Sequence, residues 1–217
     1  MTPAGITETL ADPNAAGSLS ARARQRRWAE LERRFPSLDE MSVLDLGGTA
    51  AYWRSAPVRP ASLTLLNLFQ QQAPWEGSHV AIGDACDPPQ RIRSMKFDLV
   101  VSNSVIGQVG GHAMRCRFAE AVNELGYHHW VQTPNRYFPV DPFFLFPAFP
   151  MLPFRARVAV SRHWPLGHRP ADDSKSAANH VLTVEFLTKL ELSHYFPDSE
   201  IWRERFLGMT KSLVAVR

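Results

Sequence analysis

Residues 42–49 read Ser-Val-Leu-Asp-Leu-Gly-Gly-Thr, and no other stretch restricts the fold of this chain so far. Val43, Leu44 and Leu46 form the short apolar run of a strand buried on both faces, as in the interior of a parallel sheet. Gly47-Gly48 stops the run where the chain must turn sharply and let another group approach its backbone. Asp45 stands one residue before the end of the strand, at its carboxyl edge, where open α/β sheets bind ligands. A carboxylate followed by bare backbone suits a ligand with hydroxyls or a positive charge.

The same pattern recurs along the chain. Apolar runs at 63–68, 79–82, 97–101 and 129–132 predict four more strands. They end in Asn67, in Gly83-Asp84-Ala85-Cys86-Asp87, in Ser102-Asn103-Ser104 and in Thr133-Pro134-Asn135. Between them come a short helix near 51–54, a turn-rich stretch at 70–77, and a helix over 112–125 that Gly126 ends. An earlier helix is expected from a Ser20 cap to Phe35, with Trp28, Leu31 and Phe35 on its packed face. A further helix is expected over 183–190, and strands over 200–206 and 211–216 are joined closely enough to be an antiparallel hairpin. Strands alternating with helices at this spacing imply right-handed βαβ units and a largely parallel sheet.

Composition narrows the class. Of 217 residues, 45% are apolar and 21% charged, which suits a globular chain and excludes a disordered one. The net charge of +3 is concentrated in arginines between 22 and 34, so nucleic acid is not an expected partner. There is no transmembrane-length apolar run and no secretion-type start, and Cys86 and Cys116 lack metal spacing, so a cytoplasmic setting is expected. Residues 1–19, without periodicity, are expected to be a flexible arm ahead of one domain over 20–217.

In a parallel sheet the strand ends lie side by side and make a groove for a nucleoside-like molecule. Gly47 and Gly48 would give backbone contact, Asn67 would bond ribose hydroxyls, and Asp84 would accept from an exocyclic amine, with Thr49, Ala85, Ser102 and Asn103 completing the wall. A nicotinamide dinucleotide fits less well, because no Gly-x-Gly-x-x-Gly opens a helix and no acid ends the second strand.

This ordered set resembles the class I S-adenosylmethionine-dependent methyltransferases. VLDLGG (43–48) is similar to their first motif, GDACD (83–87) to their adenine-binding acidic turn, and FDLVVSNSVI (97–106) to their fourth strand. QTPNRYFPVDPFFLFP (132–147) and RERFLGMTKSLVAVR (203–217) resemble a bacterial branch associated with polysaccharide and glycolipid assembly. The resemblance covers roughly residues 40–217. It implies a Rossmann-like α/β sheet, mostly parallel with an antiparallel C-terminal hairpin and helices on both faces. It also implies S-adenosylmethionine as cofactor and O-methylation of a sugar, polysaccharide precursor or other small polar acceptor. The sequence departs from the family in Gly47-Gly48-Thr49 for the usual Gly-x-Gly-x-Gly, in Asn67 for an acid, and in Gly107-Gln108 for a frequent Glu-His pair.

Methyl transfer to a hydroxyl needs alignment, exclusion of water and a proton acceptor. Two residues qualify. His112 begins the helix after the fourth strand, unless it is a solvated first-turn histidine. Asp141 lies in an apolar Phe-Pro segment, as base, metal ligand or simply the turn residue before Pro142. Asn135, Arg136 and Tyr137 follow the fifth strand and are the expected acceptor contacts, within an acceptor cap over 136–180; Trp130 and Trp164 could add aromatic faces. The Phe- and Pro-rich part of that cap suits an acceptor lid, a homodimer contact or peripheral contact with a membrane. A divalent cation such as Mg2+ is compatible but not demanded; His168, Asp172 and Asp173 are the residues that could hold one. Competing readings are an N-methyltransferase acting on nucleic acid or protein, and a cofactor-binding module without catalysis. The first lacks an Asn/Asp-Pro-Pro-Tyr/Phe motif, since Ser102-Asn103-Ser104-Val105 stands there.

Overall fold

The computed structural model describes residues 19–141, 144, 146–164 and 173–217. The expected arm falls almost wholly outside them, as do His168 and Asp172. Among the described residues the elements are α1 (Leu19–Arg34), β1 (Ser42–Leu46), α2 (Ala50–Arg54), β2 (Ser62–Asn67), β3 (His79–Ile82), α3 (Gln90–Arg93), β4 (Phe97–Asn103) and α4 (His112–Leu125). They continue with β5 (Gly126–Pro134), α5 (Phe154–His163), α6 (Ser174–Thr183), α7 (Lys189–Tyr195), β6 (Glu200–Phe206) and β7 (Met209–Val216).

The strands make one seven-stranded sheet in the order β3-β2-β1-β4-β5-β7-β6. β1 to β5 are parallel, and β7 runs antiparallel to both β5 and β6. Strand order reverses direction between β1 and β4, which is where a doubly wound sheet opens its crevice. Register aligns Asp45 with Leu65 and Val101, Asn67 with Ile82, and Asn103 with Gln132, so the expected polar ends do share one rim.

Alternation along each strand divides the apolar residues between two cores. Leu44, Leu46, Leu66 and Val100 face α4 and α7, where Phe118, Val122, Leu192 and Phe196 are buried. Val43, Leu65, Leu99 and Val101 face α1 and α2, against Trp28, Leu31 and Trp53. The amphipathic stripe expected on α1 is therefore what holds that helix. Leu31 is fully buried, and truncating it to alanine would cost about 2–5 kcal/mol. At its other end Arg34 bonds Glu30 at 2.9 Å and Glu200 of β6 at 2.5 Å, cations placed at the negative end of the helix.

Two expectations need correction. Residues 183–190 are not a helix: α6 stops at Thr183 and α7 starts at Lys189. Thr188 and Glu191 form a capping box that starts α7, and the backbone between the helices bonds elsewhere. Glu185 N donates to Gly107 O at 2.8 Å, and Leu187 O accepts from Arg136 N at 3.1 Å. The hairpin turn is also tighter than 207–210. Leu207 and Gly208 alone carry positive φ, 49° and 80°, so β7 begins at Met209. Gly126 does end α4, but by starting β5 directly in an extended conformation. A side chain there would meet His128 O at 2.6 Å and Val100 at 2.8 Å.

Beyond β5, Phe144, Phe149 and Val181 make a small separate core, with the Phe144 and Phe149 rings stacked at 4.0 Å. No helix among the described residues is long and apolar enough to cross a membrane.

Candidate functional site

The centre of the rim is the turn after β1. Gly47 has φ +79° and bonds Leu66 O through its N–H at 2.7 Å. Thr49 then caps α2, accepting from Tyr52 N at 3.4 Å. Gly47 is needed for conformation and for space, Gly48 for space. A Cβ on Gly47 would collide with Val105, and one on Gly48 would run into the Asp45 carboxylate.

Asp45 is placed beneath that turn rather than in the open groove. It is 1% exposed, and its Oδ2 accepts from Trp53 Nε1 at 2.7 Å while Oδ1 has no partner. Burial pushes its pKa up from 3.8 to about 7, the Trp53 bond offsetting only part of the shift. Direct contact between Asp45 and a ligand, as read from the sequence, is thus replaced by support of Gly48 from below.

Asn67 is likewise committed to the turn. Its Nδ2 donates to Gly48 O at 3.0 Å and its Oδ1 accepts from Phe69 N at 3.3 Å. A carboxylate could not make the first bond, which gives a physical reason for an amide here. The next two residues, Leu68 and Phe69, are 62% and 73% exposed at the mouth of the rim. Asp84 follows β3, the strand beside β2, and is exposed, with Oδ1 accepting from Cys86 N at 2.8 Å. Ala85 and Cys86 are buried behind it, and desolvation first, then Asp84, raises the Cys86 thiol to about 12.

From β4, Ser102 is fully buried and bonds Leu46 O at 2.8 Å, locking the crevice strands together. Asn103 is different. Neither Nδ2 nor Oδ1 has a partner, although both atoms are buried. The Tyr52 hydroxyl lies within electrostatic reach of this amide without a well-aligned bond, and burial raises its pKa. Tyr52 is stacked on Trp28 of α1 at 4.6 Å, and Arg24, Arg27 and Asp45 also act on it. Arg27 bonds Glu204 of β6 at 3.3 Å. Sequence reading missed this cluster, because Tyr52 sits in a five-residue helix whose partners are tens of positions away.

The expected acceptor residues follow β5. Asn135 donates to Thr210 O at 2.9 Å, and Arg136 is drawn to the 185–191 segment, bonding Phe186 O at 2.8 Å and Glu191 at 2.9 Å. Glu185 in turn pairs with buried Arg115. Tyr137 is 67% exposed, whereas Trp130 is fully buried in the core.

Of the expected proton acceptors, His112 is exposed, its Nδ1 3.0 Å from Tyr195 Oη and its Nε2 3.6 Å from Cys116 Sγ. Asp141 is 3% exposed, and its Oδ1 accepts from Phe144 N, three residues on, at 3.0 Å. Asp173 caps α6 through the N–H groups of Lys175 and Ser176. No group of three or more His, Cys, Asp or Glu side chains among the described residues is arranged to hold a metal. Cavities of about 420 Å³, beside Cys86, Asp87, Arg93 and Arg117, and about 360 Å³, beside Phe35 and His128, are not lined by Gly47, Gly48, Asn67, Asp84 or Asn103.

No protein-family model and no curated protein matches the sequence. Solved structures do match. N-methyltransferase NodS from Bradyrhizobium japonicum WM9 is 14% identical, with 90% of this chain and 95% of that one covered and a TM-score of 0.53. The 1,6-didemethyltoxoflavin-N1-methyltransferase of Burkholderia thailandensis, bound to its substrate and S-adenosylhomocysteine, is 12% identical over 100% and 89% of the two chains, TM-score 0.54. Magnesium protoporphyrin IX methyltransferase from Synechocystis PCC 6803, with bound S-adenosylmethionine, is 10% identical over 90% and 78%, TM-score 0.51. Sheet order, the antiparallel β5-β7-β6 edge and these likenesses together establish that the chain has the class I methyltransferase fold.

Proposed function

We propose that the chain is an S-adenosylmethionine-dependent methyltransferase that transfers CH₃ to a hydroxyl of a sugar, a polysaccharide precursor or another small polar acceptor. One observation carries the reading. The crevice between β1 and β4 opens onto side-chain-free backbone at Gly47-Gly48, flanked by exposed Leu68 and Phe69 and by a carboxylate oxygen of Asp84. That arrangement fits an adenosyl group: apolar contact for a flat heterocycle, an acceptor for its amine, and bare backbone for the chain that follows. The unpartnered Asn103 amide would find its partner on the same ligand. Bound there, the cofactor supplies an activated methyl group.

The protein's part is to hold donor and acceptor in line and keep water out. Tyr52 and α1 close one side of the rim, and Tyr137 with the segment beyond it would line the acceptor side. For the proton we propose His112 or Asp141. His112 would take the proton on Nε2 while its Nδ1–H donates to the Tyr195 hydroxyl oxygen, and Asp141 would take it on a carboxylate oxygen in its buried setting. A second reading, transfer to a small-molecule nitrogen, is favoured by the N-methyltransferases among the structural neighbours. Calorimetry with S-adenosylmethionine, followed by a methyl-labelled assay across sugars, lipids, phenols and amines with and without chelator, tests both. Labelled ether product supports the first, labelled amine the second, and absence of cofactor binding removes both. Loss of rate in His112→Asn or Asp141→Asn, with cofactor binding retained, identifies the base.

A further inference from the structure

Residues 142–171 contain four arginines and no acid, a charge pattern that the rim and its cofactor do not use. The described part of this stretch places apolar and cationic groups on one surface. Met151 and Phe154 are 70% and 41% exposed, and neither belongs to the small Phe144–Phe149 core or to the residues packed against it. Along α5, Phe154, Arg155, Ala159, Arg162 and His163 are the exposed positions, and helical spacing puts them within one half of the helix circumference. The single acid among described residues 146–164 and 173–183 is Asp173, which caps α6 and lies within electrostatic reach of Arg162, whose Nη1 donates to Ser174 Oγ at 3.0 Å, so Arg155 is the arginine of this face with no acid near it in sequence.

We propose that the outer face of α5, with the Met151 turn before it, docks on an anionic phospholipid surface. A basic helix face with a large apolar residue at its leading end is what an interfacial helix requires: the apolar groups enter the headgroup boundary and the arginines pair with lipid phosphates. Ten residues of helix cannot span a bilayer, so the contact is peripheral. A protein partner would need an acidic, apolar-edged surface of matching shape; a lipid surface needs only net charge and wedge-like side chains, and these are present.

Co-sedimentation of the full chain with phosphatidylcholine vesicles, with and without phosphatidylglycerol, tests this directly. It needs no cofactor, so its outcome is separate from that of the methyl-transfer reading. Binding is expected to the anionic vesicles alone, weakening at high salt. Arg155→Glu/Arg162→Glu is expected to weaken it by at least about tenfold. Met151→Ser/Phe154→Ser is expected to weaken it as well, and both variants should retain the wild-type unfolding midpoint. Absence of binding at low salt, equal binding to neutral vesicles, or wild-type binding by either variant would overturn the proposal. So would a dimer in sedimentation velocity that Met151→Ser/Phe154→Ser dissociates, since the face would then belong to a second copy.

Discussion

Asp45→Asn offers the most searching test of how the rim is built. Asp45 is fully buried with a pKa of about 7 against 3.8 for the ordinary side chain. Between those values the folded chain keeps a proton that the unfolded chain has released, so stability falls as pH rises through the window. The penalty grows to about 4 kcal/mol above pH 7, and about 2.5 kcal/mol of it develops between pH 5 and pH 8. Asparagine can still accept from Trp53 Nε1 but cannot ionise. Its new N–H₂, placed where Oδ1 lacked a partner, costs about 1–3 kcal/mol unless Tyr52 or Asn103 adjusts. That cost is independent of pH. Urea unfolding of both proteins from pH 5 to pH 8 should therefore show the variant gaining on the wild type by about 2.5 kcal/mol across the range. His129 titrates identically in both and cancels. Parallel stability curves would mean that Asp45 is not the buried, unpaired carboxylate described, and the support it gives Gly48 would fall with it.

Further expectations follow from neighbouring residues. Asn67→Asp removes the donor to Gly48 O and sets a carboxylate against a carbonyl, so stability should drop by about 1–3 kcal/mol and cofactor affinity with it; a tighter complex in calorimetry would instead make residue 67 a direct ligand contact. Gly48→Ala, whose Cβ meets the Asp45 carboxylate, should cost about 1–3 kcal/mol in thermal unfolding and weaken cofactor binding by about tenfold or more. His129, bonded to Ser199 at 2.7 Å, has its pKa lowered by burial to about 4, so the folded state loses stability as pH falls from 6.5 toward 4. His129→Asn should flatten that acid limb, worth about 3 kcal/mol in the wild type, and an unchanged limb would assign it elsewhere.

The strands were legible because each is an apolar run closed by a polar or glycine turn, and a doubly wound sheet leaves little choice about where those turns gather. The helix expected over 183–190 failed for a definite reason. Val184, Phe186 and Leu187 look like a helical stripe, but Glu185 N pairs with Gly107 O and Leu187 O with Arg136 N, distant residues that no local pattern reveals. The capping box at Thr188 and Glu191 was a visible signal for the true start of α7. The same limit applies at the rim. Sequence placed Asp45 and Asn67 at the correct edge, but it could not show that their polar atoms turn inward to Trp53 and Gly48. Nor could it bring Tyr52, Asn103 and α1 together, since that depends on which helix covers the crevice.

On the proposed function, the crevice between β1 and β4 holds an adenosyl group. A crystal structure of the chain grown with S-adenosylhomocysteine measures this most directly. The base is expected between Leu68 and Asp84, the ribose and tail over Gly47-Gly48, and the Asn103 amide newly bonded. Ligand density in another cavity, or none at saturating concentration, would contradict it.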